Sequence, residues 1–136
     1  MEKIQKRETE DVAKKFAACV EQLRFEEAFS LLDDNGRYVV IGTTPVSRVY
    51  HGRQDLLDNL IPALSSFKEP PQVRFNEIVI DGNRAVLLGS GSGVGPMGRY
   101  DQPYYAFVLK VEGGKCSEII EFLDTQMLHS ALYGNS

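Results

Sequence analysis

Glu121 is the residue in this sequence with the most chemistry to offer. Along Cys116–Leu123, read at the period of two of a β-strand, Ile119, Glu121 and Leu123 share one face and Glu118, Ile120 and Phe122 the other. A carboxylate between two apolar residues is at a rim, paired, or functional. If it faces an apolar cavity, lost hydration raises its pKa and suits it to move protons near neutral pH. If it is structural, it pairs with an arginine or accepts a hydrogen bond from a tyrosine. Asp124 closes the same strand and is either a second candidate acid or the cap of a following helix.

Hydrogen-bond donors are plentiful. Tyr38, Tyr50, Tyr100, Tyr104 and Tyr105 each carry an apolar ring and a hydroxyl that can bind a ligand oxygen, or else pack in the core or an interface. Arg99 pairs with an acid such as Asp101 or Asp124, or stays solvated. His51 and His129, the only histidines, are far apart and suggest no metal site. His51 follows Tyr50 at a strand end, where it either lines a pocket mouth or occupies a surface turn. Cys19 and Cys116 lack the spacing of a zinc site and read as reduced, buried thiols. No G-x-S-x-G elbow is present and neither cysteine has a neighbouring histidine, so nothing points to a triad nucleophile. Gly93–Gly98 has the letters G-x-G-x-x-G. It is followed by Arg-Tyr-Asp-Gln-Pro and a strand instead of a helix, so it reads as a strand connection or bulge.

Two kinds of element must position these groups. Val12, Phe16, Cys19, Val20 and Leu23 recur with helical period, which predicts an amphipathic helix over residues 8–23. Phe25, Ala28, Phe29 and Leu32 form the stripe of a second short helix, expected to stop at Asp33-Asp34-Asn35-Gly36. Arg37–Ile41 is a strand and Arg48–Tyr50 a short second one. Gly52 opens a third helix with the stripe Leu57, Leu60, Ile61 and Leu64, which Pro62 should kink or split. Pro70-Pro71 ends the helical half. Strands follow at Val73–Ile80 and Arg84–Leu88 around an Asp-Gly-Asn turn, with a Gly/Ser-rich break over 89–98. A long hairpin then turns at Glu112-Gly113-Gly114-Lys115, with Tyr105, Phe107, Leu109 and Val111 on one face of its first strand. Thr125–Leu132 forms a last helical turn behind an Asp124 cap. Helices first and a meander of strands afterwards make an α+β domain, with helices on one face of a mostly antiparallel sheet.

Bulk properties narrow the function classes. The 136 residues make one domain, 1–136, with 43% hydrophobic and 25% charged residues, as in a soluble globular protein. A net charge of −4 and the lack of any Lys/Arg cluster argue against nucleic acid as a partner. No apolar run approaches the ~20 residues of a membrane span. The charged start MEKIQKRETED lacks a signal-peptide core, so no membrane association and a cytoplasmic location are expected.

Several motifs, in order, carry a family resemblance. Tyr50-His51-Gly52-Arg53-Gln54-Asp55-Leu56-Leu57 resembles the Y-x-G-R-x-x-L entry to the third helix in the SnoaL-like branch of the nuclear transport factor two-like superfamily. That branch includes polyketide cyclases and relatives of the ketosteroid isomerases. Gly98–Tyr104, Gly114-Lys115 and Glu118…Thr125 resemble its terminal strands, and Leu31-Leu32-Asp33-Asp34 also fits. The resemblance implies a cone-shaped, curved mixed sheet, a cystatin-like α+β barrel roll wrapped around N-terminal helices. It also implies a largely apolar pocket and a homodimer formed through the outer sheet face.

Residue by residue, the resemblance narrows the chemistry. The isomerase positions hold Phe16, Val39 or Val40, and Tyr105 or Ala106, so that constellation is absent. Glu121 matches the pocket acid of the polyketide cyclases, while Ile119 and Ile120 replace their neighbouring histidine and tryptophan. The Asp-Arg-Asp arrangement of the related hydrolases is not recognisable. The expectation is a homodimeric protein binding a compact, mostly apolar ligand and, if catalytic, using acid/base chemistry with no cofactor and no metal. Glu121 would be the acid or base, and Tyr38 and Tyr104 would donate to a developing oxyanion. Asp124 and Arg99 would orient or gate, with His51 at the mouth and Phe16, Phe25, Leu57 and Leu60 as the apolar wall. The alternative is a non-catalytic binding or assembly module.

Overall fold

A computed structural model describes residues 2–134. The elements run α1 Glu2–Glu21, α2 Phe25–Phe29, β1 Leu32–Val40, β2 Val49–His51, α3 Gly52–Asn59, α4 Ile61–Ser65, β3 Glu69–Asp81, β4 Arg84–Gly95, β5 Gly98–Glu112, β6 Lys115–Phe122 and α5 Thr125–Tyr133. The six strands form one sheet in the order β2-β1-β6-β5-β4-β3. The β1–β6 pair is parallel and every other pair antiparallel. The sheet curves without closing, because β2 and β3 remain its two edges. Bulges in four of its pairings add the bend.

Strand alternation sorts the side chains into cross-strand rows. One inward row runs Tyr38, Ile119, Leu109, Ala85 and Ile80 from β1 to β3. The next runs Val40, Glu121, Phe107, Leu87 and Ile78, so Glu121 is the one acid in an apolar row. The outward rows read Arg37, Glu118, Lys110, Arg84, Asp81 and then Val39, Ile120, Val108, Val86, Val79. The first is laced with ion pairs, Glu118 lying 3.7 Å from both Arg37 and Arg84. The second is apolar although it faces outward.

α1 packs its stripe of Val12, Ala13, Phe16, Ala17, Cys19 and Val20 into the core. At its outer end the buried Thr9 hydroxyl lies 2.8 Å from the Gln5 and Gly82 carbonyl oxygens and ties the helix to the β3–β4 turn. Pro62 splits the third helix as expected, leaving α3 and α4 separated at Leu60. Gly113 and Gly114 have φ of 61° and 77°, the pair of positive angles that the two-residue hairpin needs.

Four boundaries differ from the sequence reading. α1 starts at Glu2, six residues early, because its first turns are polar and carry no stripe. α2 stops at Phe29, and Leu32 already pairs with Cys116 in the sheet. Asp33–Gly36 is then a bulge inside β1, where pairing jumps from Leu32 to Arg37, so the helix-stop letters mark a strand irregularity. Pro70 and Pro71 lie within β3, an edge strand, where a missing donor is tolerated. The Gly/Ser stretch is strand up to Gly95. Its glycines allow close packing: a Cβ on Gly89 would sit 2.3 Å from the Arg74 carbonyl oxygen, and one on Gly95 2.4 Å from that of Ala131.

Candidate functional site

Curvature leaves a cavity of about 60 Å³ between the concave sheet face and the helices. At the ~10–15 Å³ that one water centre needs, it holds a few waters or a small organic group. Its walls come from α1 (Val20), the helical segments around α2, α3 and α4 (Phe25, Phe29, Leu60, Leu64), the sheet (Tyr38, Val40, Val73, Tyr105, Phe107) and α5 (Leu128, Leu132). Among the described residues Glu121 is the single charged side chain lining it.

Tyr38 on β1 and Glu121 on β6 form the polar centre. The Tyr38 hydroxyl donates to Glu121 Oε1 at 2.5 Å. Tyr38 is packed edge-on against Phe29, with ring centroids 5.3 Å apart, so its hydroxyl is held in place. Glu121 Oε2 has no hydrogen bond among the described residues, yet no sealed side-chain oxygen lacks a partner. Oε2 is therefore not sealed, and Glu121 lines the cavity. Burial pushes the Glu121 pKa from 4.5 up to about 7, against the opposing pull of the Tyr38 hydrogen bond. Burial, and then the neighbouring Glu121 charge, push the Tyr38 phenol well above its usual value, so it stays a donor.

A second polar pair faces the same space. The hydroxyls of Tyr100 and Tyr105 hydrogen-bond directly to each other. Both rings line the cavity, and burial raises both phenols first, with Glu121 adding to the shift. A phenol has one proton, so one hydroxyl of the pair donates to the other, and the Gln102 side chain also reaches Tyr100. The cavity thus offers a carboxyl oxygen and a phenolic hydroxyl, which are the parts of a proton-transfer site.

The structure brings together some of the expected site residues and separates others. Glu121, Tyr38, Phe25 and Leu60 line the cavity. Phe16 is fully buried one layer behind, its ring 5.5 Å from that of Phe107. Leu57 packs against the core without lining the cavity, because Leu56 and Leu60 take the inward side of α3. Tyr104 does not enter the cavity: it is 85% exposed on the outer sheet face. Arg99 also points outward, forked onto Asp101 at 3.0 and 3.2 Å. His51 is exposed at the end of β2, its backbone N–H donating to Asp55. Asp124 takes the capping role, accepting from the N–H groups of Gln126 and Met127 at 3.0 and 3.2 Å. The expectations of gating by Arg99 and Asp124, and of donation by Tyr104, are corrected accordingly.

Gln102 is the residue that the sequence does not announce; Tyr100 and Tyr105, read there only as tyrosines that either bind a ligand oxygen or pack in the core, both line the cavity. Tyr100 and Tyr105 are an odd number apart, so strict alternation would put them on opposite faces. A bulge intervenes: Gly89 pairs with Tyr105 but Gly91 with Gln102, which leaves an extra residue in β5 at Pro103-Tyr104. Proline inside a strand was the available signal. Gln102, 1% exposed, clamps the start of α5: its Nε2 donates to the Asp124 carbonyl at 2.9 Å and its Oε1 accepts from the Asp124 N–H at 2.8 Å.

No family model and no curated protein matches the sequence. Solved structures match it closely in shape. An NTF2-like protein of unknown function from Burkholderia pseudomallei superposes with a TM-score of 0.80, at 13% identity over 93% of this chain and 98% of the other. The fold is NTF2-like. Other NTF2-like neighbours carry names of activities. A putative ketosteroid isomerase from Kribbella flavida is 21% identical over 88% of this chain and 80% of its own, with a TM-score of 0.66. An LEH-like epoxide hydrolase from M. tuberculosis is 15% identical over 93% of this chain and 90% of its own, with a TM-score of 0.72. At such identities the NTF2-like fold is shared and the reaction is not fixed by it. Among the described residues no three His, Cys, Asp or Glu side chains gather as metal ligands, and no helix is long and apolar enough to cross a membrane.

Proposed function

We propose that this protein binds a compact, mostly apolar molecule bearing a carbonyl or hydroxyl and acts on it by cofactor-free acid/base chemistry of the isomerase, cyclase or dehydratase type. The observation that carries this reading is Glu121: a lone acid lining an apolar cavity, one oxygen held by Tyr38, the other without a hydrogen bond among the described residues, its pKa pushed up to about 7 by burial. In this reading Glu121 Oε2 takes or delivers the proton. A hydroxyl of the Tyr100–Tyr105 pair stabilises charge developing on the ligand oxygen.

The working unit is proposed to be a homodimer in the cytoplasm. The apolar outward row on β1, β6, β5, β4 and β3, with Val79, Tyr104 and Phe122 among the exposed large side chains, supports self-association through the sheet face. Two buried free thiols suit a reducing compartment.

The competing reading is a binding or assembly module without chemistry, and the small size of the cavity is what favours it. Native mass spectrometry of the purified protein, followed by turnover assays on whatever small molecule is retained, separates the two. Loss of turnover in Glu121→Gln with retained folding supports the enzyme. Retained turnover removes Glu121 from the chemistry, and a bound molecule that is never transformed supports the module.

A further inference from the structure

The walls of the cavity differ in strength, and the difference locates a doorway. The sheet side is closed by hydrogen-bonded ladders that run from β1 to β3, bulged but with no strand missing. Tyr105 borders both the cavity and a groove on the outer sheet face, but it sits inside the β4–β5 ladder, so that route is shut. α1 is a single 20-residue helix. α5 is pinned by its Asp124 cap, by the Gln102 clamp, and by the Met97 N–H donating to the Ala131 carbonyl at 2.9 Å.

The β1–β2 loop, which lines the cavity through Val46, is tied down by the Tyr50 hydroxyl donating to the Val46 carbonyl at 2.6 Å and the Ser47 N–H donating to that of Thr44 at 2.9 Å. That leaves α2 and α4, five residues each, neither with a side-chain N-cap hydrogen bond. α2 follows Leu23, whose φ of 63° is in the left-handed region that side chains disfavour. α4 is cut from α3 at Leu60. Phe25 and Leu64 stand between these helices. Both line the cavity, and both line an outer groove with Leu23, Ile61, Ser65 and Pro70. The rim of that groove carries Glu26 and Glu27 against one cation, Arg24, which pairs with Glu27 at 3.3 Å.

We infer that the ligand enters between α2 and α4, past Phe25 and Leu64, and that this path admits uncharged and cationic molecules in preference to anions. An anion would pass Glu26 and Glu27 and end beside Glu121, with no lysine, arginine or histidine among the described residues lining the cavity to receive it. Opposition of like charge strengthens as water is excluded. The inference rests on the proposal that the cavity is a ligand site, and it adds the route and the charge class.

Thiol labelling tests it without knowledge of the ligand. Val40→Cys places a thiol on the cavity wall beside Glu121, and Val73→Cys, also on the wall, serves if the first variant does not fold. The probes are methyl methanethiosulfonate (neutral), its aminoethyl analogue (cationic) and its sulfonatoethyl analogue (anionic), each rate scaled to that with a free thiol. Cys19 and Cys116, 1% and 0% exposed, report global opening in the same molecule. The neutral and cationic reagents should label the new thiol about tenfold or more faster than the anionic one, the low end of electrostatic steering in a charged cleft. Adding Ile61→Trp, which narrows the groove, should slow the neutral reagent severalfold, while Gln126→Trp on α5 leaves it unchanged. Equal labelling by neutral and anionic reagents, or indifference to Ile61→Trp, overturns the inference while leaving a reachable ligand site. A new thiol that reacts no faster than Cys116 with any reagent overturns the ligand-site proposal as well.

Discussion

Glu121→Gln should make the protein more stable at alkaline pH and change little at acid pH. The carboxyl titrates at about 7 in the native chain against 4.5 ordinarily. Below 4.5 it is neutral in both states. Between 4.5 and 7 the native state holds a proton that the unfolded state has released, so stability falls as pH rises. Above 7 the native carboxylate is buried and charged, and the loss is complete. Each pH unit between the two values corresponds to about 1.4 kcal/mol, so the full loss is about 3 kcal/mol, less whatever cavity water screens. Glutamine keeps the oxygen that accepts from Tyr38 and removes the charge. The variant should therefore match the parent at pH 4 and exceed it by about 2–3 kcal/mol at pH 8.5, a melting-temperature gain of roughly 5–10 °C for a domain of this size. Paired thermal melts from pH 4 to 9 measure it, and every other titrating group cancels in the difference. A difference curve flat across this range would refute the argument, because it would mean that Glu121 titrates alike folded and unfolded.

Tyr38→Phe removes the hydrogen bond that holds the Glu121 pKa down, so the step in the same stability curve should move to higher pH; an unmoved step would show that the hydroxyl does not touch the acid. Gln102→Ala leaves the Asp124 N–H and carbonyl unpaired beneath α5, a loss of about 1–3 kcal/mol read by denaturant unfolding, with hydrogen exchange rising first in α5. Light scattering at micromolar concentration should give a dimer, and Phe122→Glu, which places a charge on the outer sheet face, should give a monomer with unchanged circular dichroism.

The parts of the site legible from sequence are those where alternation runs unbroken. β6 is regular from Glu118 to Phe122, so period two alone put Glu121 on one face with Ile119 and Leu123; which face turns inward is set by the pairing with β1 and β5. The Gly-Gly turn, the split at Pro62 and the Asp124 cap were equally readable, because each is a local rule about one or two residues. What failed was long-range. The bulge at Pro103-Tyr104 reverses the sense of alternation for the residues before it and brings Tyr100 in beside Tyr105, while Tyr104 faces outward as alternation from Tyr105 already requires. The glycine stretch reads as a break until Gly89 and Gly95 are seen packed against the backbone of Arg74 and Ala131. The partner of Glu121 lies 83 residues earlier, on a strand that pairs in parallel with β6, and no spacing in the sequence announces it.

The most direct test of the proposed site is a carbon-13 NMR titration of the Glu121 side-chain carboxyl, assigned by comparison with Glu121→Gln. A midpoint near 7 is expected, shifting when a ligand occupies the cavity. A midpoint near 4.5 would contradict it, since Glu121 would then be a solvated carboxylate with no special fitness for moving protons at neutral pH.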